Sequence, residues 1–121
     1  MNPNDTAVLR QYADLLAVSH KQDESIPLYE KILKKNPKRS DILFSLSFIY
    51  YNKGDFFNAE EMTKKILVFD KNNTQALYNI GAIAASRGDS QKAREVWNKL
   101  VAEFPNSESS ALAKESLSKL K

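Results

Sequence analysis

Cysteine is absent from this chain. Its absence excludes a disulfide framework, a thiol nucleophile and a zinc thiolate site, and it suits a reducing compartment. Histidine occurs once, at His20 in an expected inter-helix turn, so no second imidazole or thiolate is present to complete a transition-metal site. Glycine occurs three times, at Gly54, Gly81 and Gly88, which is too few and too scattered for a phosphate-cradling loop. No apolar run approaches the ~20 residues that span a bilayer. The stretch Met1-Asn2-Pro3-Asn4-Asp5 lacks the basic start and apolar core of a secretory signal. An excess of one charge is also missing: 18 Lys and Arg against 15 Asp and Glu leave a net charge of +3, too mild to imply nucleic acid. The basic run Lys31, Lys34, Lys35, Lys38 and Arg39 reads as a solvated helix end that complements the helix dipole. A stacking platform for nucleic acid would need aromatics among those cations, and there are none. The acid pairs Asp23-Glu24 and Glu60-Glu61 lie near expected helix starts, where the same dipole accounts for them. No enzyme activity, cofactor or metal site is expected.

What the chain does have is a period of 34 residues. Lys31-Ile32-Leu33, Lys65-Ile66-Leu67 and Lys99-Leu100-Val101 are spaced by it, as are Leu9, Leu43 and Leu77. So are Gly54-Asp55 and Gly88-Asp89, and the small residues Ser25, Ala59 and Ala93. A fixed period of this length signals stacked helix–turn–helix units.

Each unit divides into two helices by apolar spacing and turn signals. The spacing predicts helices over 6–19, 23–36, 40–53, 56–69, 74–87 and 90–103, with Ser40 or Asp41 capping the third. Pro105 stops the sixth. A seventh helix over 107–120, with a narrow stripe of Ala113, Leu117 and Leu120, suits a terminal cap with one face for the last repeat and one for water. The expected organisation is one domain over 1–121, with repeats at about 6–39, 40–73 and 74–107 and a capping helix at about 107–120.

The residues at repeat positions resemble the tetratricopeptide repeat family, whose pattern is W-x2-L-G-x2-Y, then A-x3-F, then P. The third repeat offers Leu77, Ile80-Gly81, Ala84, Ala93, Trp97 and Pro105; the second offers Leu43, Leu46-Ser47, Tyr50, Ala59 and Thr63, with Lys71 in the proline position. The first offers Leu9, Tyr12-Ala13, Leu16, Ser25, Tyr29 and Pro37. The resemblance implies an all-α, right-handed α-solenoid of three repeats and a capping helix, seven helices in all. It also implies that Gly81, Ser47 and Ala13 sit where paired helices cross, and that Trp97 is core.

The same resemblance implies a non-enzymatic scaffold whose first helices line a concave groove for a peptide or partner helix. Carried over residue by residue, the groove-lining set is Arg10, Asp14, Ala17 and Val18, then Asp41, Phe44, Ser45, Phe48, Tyr51 and Asn52, then Gln75, Tyr78, Asn79, Ala82 and Ser86, and the candidate binding residues among them are Arg10, Asp14, Phe44, Phe48, Tyr51, Asn52, Tyr78 and Asn79. Phe44, Phe48 and Tyr51 follow i, i+4, i+7 spacing and form one stripe, while Leu43, Leu46 and Tyr50 occupy another side. Such a helix is apolar on more than one face, so the stripe reads as core packing, as a ligand groove or as a self-association surface. Tetratricopeptide domains that grip acidic chaperone tails use a basic and amide clamp; the corresponding places here hold Arg10, Asp14, Ser45, Gln75 and Asn79, with a single cation and a carboxylate that would repel the tail. A mixed polar–aromatic groove favours an apolar-containing segment. The expected partner is a protein or peptide, with no nucleic acid and no membrane span, and with the chain as a monomer. A structural, self-assembling repeat unit or a subunit of a larger complex is the alternative. The expected compartment is the cytoplasm. Phe104-Pro105-Asn106-Ser107 followed by Ala111 is similar to repeat junctions in bacterial cell-envelope assembly lipoproteins, which keeps the periplasm as the alternative.

Overall fold

Helix starts follow the side chains able to satisfy the free N–H groups of a first turn. In the computed structural model, which describes residues 5–120, five of the helices begin this way. Asp5, Asp55, Asn73, Asp89 and Ser107 accept from the backbone N–H of Ala7, Asn58, Ala76, Lys92 and Ser110, at 2.9 to 3.1 Å. The elements are α1 (Thr6–Val18), α2 (Gln22–Lys35), α3 (Ser40–Asn52), α4 (Phe56–Phe69), α5 (Thr74–Ser86), α6 (Ser90–Glu103) and α7 (Glu108–Lys119). The N-terminal reading on Met1 to Asn4 lies outside the described residues.

One expectation is corrected. Neither Ser40 nor Asp41 caps α3; Arg39 occupies the cap position and makes no side-chain capping bond. Asp41 lies in the first turn and pairs instead with Arg39, at 2.8 and 2.9 Å, so a charge at the helix start replaces the cap. Pro27 is the sixth residue of α2, just past the first turn. Its place there costs the Asp23 carbonyl its intrahelical partner.

The helices pack in consecutive pairs, α1 with α2, α3 with α4 and α5 with α6, and α7 closes on α5 and α6. There is no strand among the described residues. Each pair crosses at residues 34 positions apart. In the third, a Cβ added to Gly81 would lie 2.6 Å from Cε2 and 2.7 Å from Cδ1 of Trp97, so only glycine fits. In the second, the buried Ser47 hydroxyl donates to the Ala59 carbonyl at 2.9 Å and meets the Thr63 hydroxyl at 2.8 Å. In the first, Ala13 and Tyr29 share a core cluster. The crossing partners are therefore Gly with Trp, Ser with Thr, and Ala with Tyr. Close packing rewards such matching of sizes.

Repeats are stacked by α3 and α5. Ile42, Leu46 and Ile49 of α3 are buried with Tyr29 and Ile32 of the first pair. Ala76, Ile80 and Ile83 of α5 are buried likewise, Ala76 in a cluster with Leu43 and Ile66. Among the described residues the repeat-equivalent positions of α1 meet no such neighbour: Tyr12 is 55% and Leu15 61% exposed. On α7, Ala113 is buried against Ala84, Trp97 and Leu100, and Ser110 donates to the Leu100 and Phe104 carbonyls. Glu60 ties the second repeat to the third. Its side chain is 8% exposed and accepts from Arg87 at 2.6 Å and Lys92 at 2.5 Å. Burial raises the Glu60 pKa, but the bonds from Lys92 and Arg87 outweigh it and bring the value down to about 2.

The turn of the first repeat lacks glycine and is strained for that reason. Gly54 and Gly88 adopt φ of 77° and 91°; the equivalent residue, His20, is held at 64°. A side chain in the left-handed region costs ~1–2 kcal/mol, histidine being among the more tolerant.

Two thermal or urea melts check the backbone account. His20→Gly is expected to gain up to about 1 kcal/mol, part of the relieved strain being offset by a floppier unfolded chain, whereas Gly81→Val is expected to lose ~1–3 kcal/mol or more. A third series tests the ion cluster. A carboxylate depressed from 4.5 to about 2 contributes stability that is fully present above its unfolded pKa and is lost as pH falls through 4.5 towards 2. Glu60→Gln should therefore be less stable than wild type by about 2–3 kcal/mol at pH 7, with the gap closing near pH 2. A gap that stays constant with pH would show that the cluster does not act through the Glu60 charge.

Candidate functional site

α3 is gripped on two sides. Ile42, Leu46 and Ile49 face the first repeat, and Leu43 faces the α4–α5 cluster. A third side, offset along the helix, carries Phe44, Phe48 and Tyr51. The structure brings these together with Ser47 and with Asn79, Ala82 and Ile83 of α5 around one open cavity of about 190 Å³. Phe44 also packs against Leu43, Ile66 and Ala76, which makes it half core and half wall. Tyr51 is held from two directions, edge-on to Phe56 with ring centroids 5.6 Å apart and with its hydroxyl 2.5 Å from Ser86 Oγ. Phe48 is 64% exposed and projects at the rim. The stripe is thus neither wholly core nor wholly free. Asn79 brings an amide with no hydrogen-bond partner among the described residues to an otherwise largely apolar wall.

The other candidate residues lie elsewhere. Tyr78 turns to the cap: its ring stacks on Trp97 at 5.5 Å and its hydroxyl lies 2.8 Å from Ser116 Oγ. Asn52 is exposed at the end of α3 and does not line the cavity. Arg10 and Asp14 of α1 belong to a polar corner. Arg10 contacts Asp41 at 2.7 Å and Asp14 at 3.7 Å, and Asp14 accepts the Tyr29 hydroxyl. Burial, reinforced by that bond to a carboxylate, pushes the Tyr29 pKa up; the Arg39 bond holds the Asp41 carboxyl below its usual range. Asp14 also lines a second cavity between α1 and α3, with Ala17, Tyr29, Ser45, Phe48 and Ile49. Phe48 therefore stands between two cavities and walls both. Ile83 escaped sequence reasoning because its position, one period after Ile49, reads as stacking core; it is 3% exposed and its edge closes the cavity floor.

Two tetratricopeptide repeat models match the chain, at residues 75–107 and 28–61, between them more than half of its length. The chain belongs to the tetratricopeptide repeat family. Among curated proteins none matches. Many solved structures share the fold. The first tetratricopeptide domain of Spaghetti (RPAP3), bound to the HSP90 peptide SRMEEVD, superposes with a TM-score of 0.77 at 19% identity, over 98% of this chain and 92% of that one. A tetratricopeptide repeat protein from Parabacteroides merdae gives 0.81 at 21% identity, over 98% of this chain but 46% of that one. The second such domain of human RPAP3, in complex with the HSP70 peptide SGPTIEEVD, gives 0.75 at 14% identity, over 98% of this chain and 97% of that one. Identities this low carry the fold and no residue roles. Among the described residues no helix is long and apolar enough to cross a membrane.

Proposed function

We propose that this tetratricopeptide chain is a non-enzymatic interaction scaffold that holds a peptide or partner helix along the face built by α1, α3 and α5. The observation that carries the reading is the exposed Phe48 between two cavities on that face, one of them walled by Phe44, Tyr51 and Asn79. A large apolar side chain at a concave, polar-rimmed place is the common form of a recognition site. Peptide-bound relatives of the same fold support the mode of use.

The ligand chemistry differs from theirs. Their peptides end in Glu-Glu-Val-Asp, whereas the one cation at the clamp places here, Arg10, is already shared between Asp14 and Asp41. Added carboxylates would meet Asp14 as a like charge. The groove suits a segment led by apolar side chains, with Asn79 free to bond its backbone.

Selection of displayed peptides on the wild type, followed by fluorescence anisotropy on a Phe48→Glu variant, tests the groove. The exposed site predicts a stability change within about 0.5 kcal/mol together with loss of peptide binding; peptides that bind both forms equally would sink the reading. A second reading, assembly with further copies, draws on exposed Tyr12 and Leu15, whose equivalents Leu46 and Ile49 are buried against a preceding repeat. It predicts a sedimentation coefficient that rises with concentration and returns to the monomer value in Tyr12→Lys/Leu15→Lys. A monomer at every concentration counts against it.

A further inference from the structure

Three positions one period apart, Tyr29, Thr63 and Trp97, should do the same job in successive repeats, and the middle one cannot. The Tyr29 ring lines the cavity between α1 and α3, and its hydroxyl reaches Asp14. The Trp97 ring stacks on Tyr78, and its indole N–H donates to the Tyr78 carbonyl at 3.0 Å. Thr63 ends inside the crossing, with its hydroxyl 2.9 Å from the Ala59 carbonyl oxygen and 2.8 Å from the Ser47 hydroxyl, to which it can donate. It does not reach the groove.

The cavity between α3 and α5 has no ring from position 63 among its walls. Five of its walls, Phe48, Tyr51, Asn79, Ala82 and Ile83, lie 34 residues after Asp14, Ala17, Ser45, Phe48 and Ile49, which surround Tyr29. Where Tyr29 forms part of the first cavity, the second opens down to Ser47. Its volume of about 190 Å³ exceeds the roughly 150 Å³ in which an apolar cavity holds a benzene ring. Asp14 of the first site is replaced by Phe48 in the second, so no carboxylate waits there for a phenol or an amine.

We infer that the α3/α5 cavity takes an aromatic side chain, phenyl or indole, of the bound segment, seated where Tyr29 seats the chain's own ring in the first repeat. The inference rests on the groove reading for its biological use, but the cavity can be tested alone. The ring completes a site that the second repeat leaves open, and Phe48 stands over it at the rim.

Indole is the probe, titrated into ¹⁵N-labelled wild type with lysine amide as control. Saturable shifts at the Ser47, Ala82 and Ile83 amides, absent with lysine amide, are expected. Two variants close the site from different sides. Ser47→Ala/Thr63→Tyr installs the pair that already packs in the first repeat; Ala82→Leu fills from the groove and leaves the Ser47–Thr63 crossing untouched. Each should weaken indole binding about tenfold or more, the scale of losing a ring's burial, with the amide spectrum otherwise native. Absent shifts in the wild type, or equal affinity in a folded Ala82→Leu, would overturn the inference. Peptides selected on the wild type separate this failure from that of the groove. Peptides that lose binding in Phe48→Glu yet bind Ala82→Leu fully and share no aromatic leave the groove standing and sink the aromatic seat.

Discussion

Two α-helices can cross closely only where one of them withdraws its side chain and the other supplies the volume. Every repeat of this chain is organised around such a crossing. Gly81 leaves room for Trp97, Ala13 for Tyr29, and Ser47 is joined to Thr63 by a hydroxyl pair. Once the crossing is set, the directions of the remaining side chains follow from the 3.6-residue period. Ile42, Leu46 and Ile49 must meet the preceding pair, and Phe44, Phe48 and Tyr51 are left to the open face. The groove is thus a by-product of pair packing, and its walls include residues that packing also uses, Phe44 and Ile83 among them.

The three crossings are also unequal in kind. Trp97 and Tyr29 are bulky enough to serve the crossing and the adjoining surface at once, whereas Thr63 serves the crossing alone. A local exchange of van der Waals volume for a hydrogen bond in the second repeat leaves the crossing satisfied, since the Ser47 and Thr63 hydroxyls have partners, and moves the deficit outward to where solvent and ligands can reach it. Cavities lined by apolar groups are poor hosts for water.

Much of the fold was legible in the sequence, because the period is carried by small residues, turn dipeptides and aliphatic ladders together. The bounds expected for α4 and α6 agree with the structure to the residue. The start of α3 agrees with its expected position, but its cap does not: Ser40 and Asp41 look like caps by type, whereas the geometry uses Asp41 as the ion-pair partner of Arg39. The aromatic stripe was visible from its spacing, yet spacing could not divide it into Phe44 against the core, Tyr51 tied to Ser86 and Phe48 at the rim. That division depends on α5, 30 or so residues away, and on how far each ring reaches. Tyr78 shows the same limit from the other side: its repeat position places it on the groove face, but Trp97 and Ser116 draw it to the cap.

The strained turn at His20 and the uncovered Tyr12 and Leu15 belong to the same repeat. At the opposite end α7 covers the last pair, and Glu60 braces the middle against it. In a repeat array each unit is held by its neighbours, so among the described residues opening is cheapest in the repeat with the exposed Tyr12 and Leu15 and the strained joint. Amide exchange should therefore run as a gradient along the chain, fastest in α1 and slowest through α4 to α6. A segment spanning the α1–α3 and α3–α5 cavities would bridge the strained repeat to the braced ones and act as a splint, slowing the opening of residues it never touches.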